Sequence, residues 1–278
     1  MSTTPDADFE RRFGGLRRLY GMVGAQRIFD AHVVVVGIGG VGSWAVEALA
    51  RSGMRRLTLI DLDHVSESNV NRQIHATAGT LGQAKTEAMR ERIASFHPGC
   101  QVNGVEDFVS PDNWPMLLER AEGILDGRPS AVIDACDHVR AKTTLATWSR
   151  ATGVPLIAVG AAGGKRLADR VEVADLAHTT HDPLLAQLRY RLRKHHGAPR
   201  DGAMHVACVF SREAVAGPDA SCGLDQADGS LNCHGYGSVV SVTAAFGFCA
   251  AGWVMNTLAA GPKKSVGCLK GPQSDAII

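Results

Sequence analysis

The chain has 278 residues, enough for one large α/β domain or two small ones with a sizeable core. Its hydrophobic content of 45% and charged content of 21% are ordinary for a soluble globular protein. The net charge of +1 excludes attraction of a polyanion by the field of the whole molecule, so such a partner needs a local basic patch. The first thirty residues are charged and lack the apolar stretch of a secretory signal, so we expect a cytoplasmic protein.

The N-terminal segment is predicted to be helical. Between residues 9 and 29 apolar side chains recur at helical spacing, and Gly14, Gly15 and Gly21 interrupt them. We therefore predict two short helices, in an arm of residues 1–31 that packs across the domain that follows.

A glycine motif follows the first apolar run. Residues 33–36 are four valines, too short a run for a helix and β-branched throughout, which predicts a buried parallel strand. Gly37, Gly39 and Gly42 then form G-x-G-x-x-G, and an alanine-rich amphipathic segment begins at Ser43. A strand, a glycine turn and a helix in this order point backbone N–H groups and a positive helix end at a phosphate.

The next strand extends the nucleotide-binding unit. Residues 57–60 form a second apolar run that ends at Asp61, about 20 residues beyond the glycines, where an acidic side chain can hold ribose hydroxyls. A dinucleotide site would need no more than this. The chain adds Asp63, Arg72 and Lys85. Two extra cations, together with the carboxylates of Asp61 and Asp63, suit a triphosphate and its Mg²⁺ better than a dinucleotide.

The remaining elements predict a Rossmann-like, doubly wound α/β domain with a mainly parallel sheet over residues 32–160. One buried strand ends with Asp134 and Asp137, where ligands lie in an open α/β sheet; an aspartate there can also merely cap the next helix. We predict helices at 83–97, 111–122 and 138–152, and strands at 102–109, 131–133 and 155–159.

Residues 161–278 are predicted to form a C-terminal substrate and dimer region, continuous with the rest in one compact unit. It contains a strand around 171–173, a basic amphipathic helix at 183–196 and a strand at 205–210. Residues 238–260 are almost uncharged and long enough to cross a membrane. Because this segment contains serine, threonine, glycine and asparagine and follows a nucleotide fold, we predict a buried helix at the core or a dimer interface, and no membrane partner.

Four phrases carry a family resemblance. GIGGVG, LIDLD, SNVNRQ and GQAK, in this order and spacing, resemble the ATP-dependent adenylyltransferases related to ubiquitin-activating enzymes, the HesA/MoeB/ThiF group. Longer phrases, from RFGGLRRLYG through NRQIHA to VTAAFGF, extend the resemblance over nearly the whole chain. They are similar to the branch of the family that acts on tRNA.

The resemblance implies that a substrate carboxylate attacks the α-phosphate of ATP, which releases pyrophosphate and forms an acyl adenylate. Arg72 and Lys85 would offset the negative charge, and Asp137 would hold Mg²⁺. The nucleotide-binding set implied in this way is Gly37, Gly39, Gly40, Gly42, Asp61, Asp63, Asn69, Arg72, Gln73, Lys85 and Asp137.

In the tRNA-acting branch the carboxylate belongs to a threonylcarbamoyl group on an adenosine beside the anticodon, and closure of a ring expels AMP. The basic run on the helix at 183–196 would by itself be a solvated face. With an RNA substrate it becomes the leading phosphate-contact patch. Its members are Arg189, Arg191, Arg193 and Lys194.

The cysteines bear on both metal and catalysis. There are seven, an odd number with no C-x-x-C pair, which favours reduced thiols. Relatives that activate sulfur-carrier proteins hold zinc with two such pairs, so we predict no zinc. Cys233, beside His234, resembles a cysteine that takes the activated acyl group in other relatives, and a catalytic role and an inert thiol are about equally supported.

Two other functions stay open. One is an adenylyltransferase for a small sulfur-carrier protein, against which the missing cysteine pairs argue. The other is a non-catalytic nucleotide-binding adaptor, against which the retention of Arg72 and Lys85 argues. The family further implies a homodimer, contact with cysteine-desulfurase or sulfur-acceptor relay proteins, and an arginine given to the partner's ATP. The usual R-Q dipeptide is absent here, so Arg12 or Arg18 is the candidate for that role, and a solvated helix charge is the slightly favoured alternative for each.

Overall fold

The computed structural model describes residues 8–124, 128–219, 221 and 236–261. Its centre is a seven-stranded sheet with the strand order β3-β2-β1-β4-β5-β7-β6, in which only the pairing of β6 with β7 is antiparallel. The strands are His32–Val36 (β1), Arg56–Ile60 (β2), Gln101–Val105 (β3), Ala131–Asp134 (β4), Leu156–Val159 (β5), Val171–Asp175 (β6) and Ala207–Ser211 (β7). The predicted α/β, Rossmann-like class is confirmed, and the sheet continues into the region after residue 160.

Helices cover both faces of this sheet. They are Phe9–Phe13 (α1), Gly15–Asp30 (α2), Gly42–Arg51 (α3), Lys85–Phe96 (α4), Trp114–Ile124 (α5), Val139–Thr152 (α6), Pro183–His195 (α7) and Val240–Ala260 (α8). Side chains of β1 alternate between two cores. Val33 and Val35 pack with α2, α3, α4 and α8, whereas Val34 and Val36 pack with α5, α6 and α7.

The N-terminal arm forms the two predicted helices. Asp8 caps α1 by accepting a hydrogen bond from the Arg11 amide, and α2 is kinked at Gly21, whose φ is +71°. Phe13 packs against the rings of Phe9 and His97, which fixes the arm to the loop after α4. The arm therefore lies at the end of the sheet where β1 begins.

The long apolar helix α8 is a packing helix along one side. It runs beside α3 and α2 and against the sheet, and its Gly247 lets the backbone of α3 approach, since a Cβ there would lie 2.6 Å from the Val41 carbonyl oxygen. By length and composition α8 is the one described helix that could cross a membrane, and 44% of its most apolar stretch is buried in the fold. One face of α8, which includes Val242, Phe246 and Val254, is buried against the core, as predicted for a core helix.

Candidate functional site

A crevice of about 1010 Å³ opens at the carboxyl ends of the strands. It lies where the strand order reverses, because β1 has β2 on one side and β4 on the other. With the exception of Gly42, the whole predicted nucleotide-binding set lines this crevice: Gly37, Gly39, Gly40, Asp61, Asp63, Asn69, Arg72, Gln73, Lys85 and Asp137.

The glycine turn is built by close backbone contacts. Gly37 has a φ of +86° and lies so near the Ala135–Cys136 peptide that a Cβ would be 2.9 Å from it. A Cβ on Gly42 would lie 1.7 Å from the Gly37 carbonyl oxygen, so only glycine lets α3 begin directly above the turn. Apart from its chain neighbours, no described residue has an atom within 4 Å of the Cβ position of Gly39, which leaves that backbone open to a ligand.

Asp61 is bonded to this turn. One carboxylate oxygen accepts a hydrogen bond of 2.5 Å from the Ile38 amide and the other accepts one of 2.9 Å from the Asp63 amide. Burial raises the pKa of Asp61, against the lowering effect of Lys85 and of these amides. Asp61 therefore fixes the turn after β1 to the end of β2, and holding the ribose stays a prediction.

Lys85 brings a cation to the end of β2. It is the first residue of α4, and its Nζ lies 2.6 Å from an oxygen of Asp63 and 4.0 Å from one of Asp61. The Lys85 side chain is 7% exposed whereas Asp63 is 72% exposed. The ammonium is thus fixed at the wall of the crevice between two carboxylates.

The SNVNRQ turn supplies the other cation and an orphan acceptor. The Arg72 guanidinium donates to the Ser68 carbonyl oxygen at 2.6 Å and to Asn71 Oδ1 at 2.9 Å. Asn69 closes a capping box with Ser66. Gln73 is buried, and its Oε1 has no hydrogen-bond donor within the described part of the chain. A polar group left unpartnered on the wall of a crevice fits a site that receives a polar ligand.

The two aspartates after β4 separate into a structural and a functional candidate. Asp134 is fully buried, and its Oδ1 accepts from Lys142 Nζ at 3.1 Å and from Cys136 Sγ at 2.9 Å. Asp137 is 54% exposed, and its only ion pair in the described structure is with His138 at 3.6 Å. Helix α6 begins after His138 and has no side-chain cap, so Asp137 is not used as a capping residue.

Burial governs the chemistry of the neighbouring groups. Burial alone would lower the pKa of Lys142, but the Asp134 carboxylate outweighs it and the pKa is raised. Burial also raises the pKa of the Cys136 thiol well above its ordinary value. Cys136 therefore lines the crevice as a neutral thiol and is not a nucleophile candidate.

The predicted RNA patch lies away from the crevice. Leu184, at the start of α7, lines the crevice, and Lys194 is ten residues further on, about 15 Å along the helix. The Arg189 guanidinium donates to the carbonyl oxygens of Leu176 and Thr179. That of Arg193 donates to the carbonyl oxygens of Pro199 and Arg200. Of the four basic residues, Arg191 and Lys194 remain available to bind RNA. Lys194 also contacts the ring and hydroxyl of Tyr190.

Other residues predicted from the sequence do not line the crevice. Cys233 lies outside the described residues. Arg12 and Arg18 are both exposed, and Arg12 donates to the Phe96 carbonyl oxygen at 2.7 Å. Among the described residues no group of three or more histidine, cysteine or acidic side chains is placed to hold a metal ion. A Mg²⁺ ion bound together with nucleotide phosphates needs only one or two carboxylates, so Asp137 fits that use.

Two residues that line the crevice, Phe108 and Arg140, were not predicted from the sequence. Phe108 is 62% exposed and stands in the loop after β3, which Asn113 braces by donating to the Phe108 carbonyl oxygen. Arg140 lies on the first turn of α6. For Phe108 the sequence offers one indication, an aromatic residue within the polar stretch DFVSPDN. Arg140 has no such indication, because its sequence context is that of any arginine on a helix surface.

The fold and the site define a nucleotide-binding α/β protein, and the chain belongs to the ThiF family, whose profile matches residues 14–269. It is 44% identical over 259 residues to tRNA threonylcarbamoyladenosine dehydratase of Escherichia coli, covering 90% of this chain and 94% of that protein. The crystal structure of the E. coli dehydratase in complex with ATP superposes with a TM-score of 0.78, covering 90% of this chain and 95% of that one. Molybdopterin-synthase adenylyltransferase of Salmonella typhimurium is 34% identical over 48% of this chain and 51% of its own length.

Proposed function

We propose that this chain is an ATP-dependent enzyme that dehydrates N6-threonylcarbamoyladenosine in tRNA to a cyclic form. The observation that carries the proposal is the crevice itself, in which the glycine turn, Arg72, Lys85 and Asp137 meet at the switch point of the sheet. The similarity to dehydratases over nine-tenths of the chain supports it, as does the ATP found in one of their structures.

The first step activates the carboxylate. A threonyl carboxylate oxygen attacks the α-phosphorus of ATP, the bond to the β-phosphate oxygen breaks, and pyrophosphate leaves with the bonding electrons. Two anions have to approach each other in this step, and the glycine turn, Arg72 and Lys85 offset that repulsion. Asp137 would hold Mg²⁺, which neutralises charge on the phosphates when bound.

The second step closes the ring. The carbamoyl group of the same side chain attacks the acyl carbon, AMP leaves with the former carboxylate oxygen, and the carbamoyl group loses a proton. Relative to the starting nucleoside the product lacks one water. Because both reacting groups belong to one nucleoside, the ring closes without a protein nucleophile. Cys233 remains a candidate for transient acyl transfer, and full activity after alkylation of the protein would remove it.

Nucleoside mass spectrometry tests this function. Purified protein is incubated with ATP, Mg²⁺ and tRNA carrying threonylcarbamoyladenosine, and the tRNA is then digested to nucleosides. The expected product has lost the mass of one water, with equal amounts of AMP and pyrophosphate released. An unchanged nucleoside, with ATP intact, would rule the proposal out.

The sulfur-carrier alternative has its own assay. The Salmonella adenylyltransferase resembles half of this chain, which supports a shared adenylation chemistry rather than a shared substrate. Pyrophosphate exchange that a diglycine-tailed carrier protein stimulates and tRNA does not would favour the carrier as substrate. A chain that binds ATP but exchanges no pyrophosphate with either partner would be an adaptor.

We also propose a cytoplasmic homodimer. Its support is an apolar strip on α2, where Leu19, Met22 and Val23 are 65–76% exposed beside the open side of α8. Exposed apolar surface of this kind marks protein interfaces. Light scattering should give twice the chain mass, and Leu19→Asp with Met22→Asp should shift it toward the monomer. Co-purification would test a sulfur-relay partner, for which the described surface offers no separate support.

A further inference from the structure

Arg140 stands on the crevice wall opposite the ribose side. It is the second residue of α6, three positions after Asp137, and its side chain is exposed. Asp61 follows β2 and Asp137 follows β4, and these strands flank β1 on opposite sides. Arg140 therefore lies beyond the glycine turn and the Mg²⁺ candidate, away from the residue expected to hold the ribose.

The other cations of the crevice already have acceptors. Lys85 is paired with Asp63, and Arg72 donates to the Ser68 carbonyl oxygen and to Asn71. Both side chains are buried. The guanidinium of Arg140 makes no hydrogen bond or ion pair within the described residues, not even with Asp137. Among the described residues, Arg140 is therefore an exposed arginine of the crevice whose guanidinium has no acceptor.

The neighbouring helix α7 cannot place a positive charge next to Arg140 at the crevice. Helices α6 and α7 pack side by side and both start at the crevice, since Leu184 lines it. Their far ends meet where Arg150 donates to the His196 carbonyl oxygen. Arg193 and Lys194, the last members of the basic run of α7, lie in its final turn at that far end.

We infer that Arg140 binds a backbone phosphate of the tRNA beside the target nucleoside. This rests on the proposed function. The reacting carboxylate is attached to a base, so the phosphates of that nucleotide lie within one nucleotide length of the crevice once the base is splayed out. A guanidinium is suited to bidentate phosphate binding, and such a contact positions the RNA without reading its sequence.

Equilibrium binding of tRNA to the full-length protein tests this without depending on turnover. We expect Arg140→Ala to raise the Kd for tRNA roughly tenfold and to reduce the slope of log Kd against log salt by about one. Arg140→Lys should recover most of the affinity, because it keeps the charge. Arg140→Gln should behave like the alanine variant. The Kd for ATP should stay unchanged in all three.

The matched control is Arg90→Ala. Arg90 is an exposed helix arginine whose ion pair is with Glu87 on the same helix, outside the crevice. The Arg90→Ala protein should bind tRNA with the same Kd and the same salt dependence as the unaltered protein. An Arg140→Ala protein with the original Kd and salt slope would overturn the inference. So would an equal loss of ATP affinity, which would assign Arg140 to the triphosphate. If the unaltered protein binds tRNA but forms no cyclic nucleoside, the proposed function fails and the Arg140 comparison still decides the contact.

Discussion

Removing the ammonium beneath the crevice should destabilise the fold strongly. Lys142 and Asp134 are both 0% exposed, with 3.1 Å between Nζ and Oδ1. In Lys142→Met the donors that remain to the buried carboxylate, among the described residues, are the amide and thiol of Cys136. Breaking a buried pair by deleting one partner costs about 3–5 kcal/mol in unfolding free energy. The double variant Asp134→Asn with Lys142→Met removes the stranded charge, so it should recover most of that loss.

Urea unfolding followed by circular dichroism measures these free energies, and Asp137→Asn is the control. Asp137 is half-exposed with one weak ion pair, so its variant should stay within about 0.5 kcal/mol of the unaltered protein while losing activity. The reasoning is refuted if Lys142→Met costs less than about 1 kcal/mol. It is equally refuted if the double variant is no more stable than the single one.

Three further predictions follow from the crevice and the core. Lys85→Ala and Arg72→Ala should each lower the rate of ring formation by about a hundredfold or more at nearly unchanged circular dichroism; a near-normal rate would remove them from the site. Gly42→Ala should lower the melting temperature, because its Cβ would meet a carbonyl oxygen at 1.7 Å, whereas Gly39→Ala should melt normally but lose stabilisation by ATP. Burial lowers the pKa of His32 from 6.5 to about 4, so the unfolded chain takes up a proton first and stability falls as the pH drops from 6.5 toward 4. His32→Gln should reduce that fall by up to about 3 kcal/mol in urea titrations, and an unchanged pH dependence would contradict this.

The sequence was informative where local pattern and function coincide. The glycine turn, the valine run and Asp61 were predictable because strand period, turn chemistry and helix start are encoded within a few residues. The element at 102–109 was predicted too long: β3 ends at Val105, and the loop that follows is closed by hydrogen bonds of Asn113 to Ser110 and Phe108. Apolar residues in that loop look like a strand until the side-chain bonds are seen.

Contacts between distant segments could not be predicted in this way. The hydrogen bond from the Ile38 amide to Asp61 joins the turn after β1 to the residue after β2, and the pairing of Lys142 with Asp134 depends on how α6 packs under the crevice. The place of the basic run of α7 relative to the crevice was likewise not predictable, since charge in a sequence does not tell which end of a helix lies near the site. Its contact with RNA stays a prediction. Arg189 is used to hold carbonyl oxygens of its own chain.

Above all, we propose that the crevice activates a carboxylate by joining it to the α-phosphate of ATP. Substrate tRNA whose threonylcarbamoyl carboxylate carries heavy oxygen tests this directly, with mass spectrometry of the released AMP as the measurement. Adenylation transfers one carboxylate oxygen to phosphorus, so the AMP should carry the label. Unlabelled AMP accompanied by cyclic nucleoside, with the heavy oxygen in water or inorganic phosphate, would contradict the account.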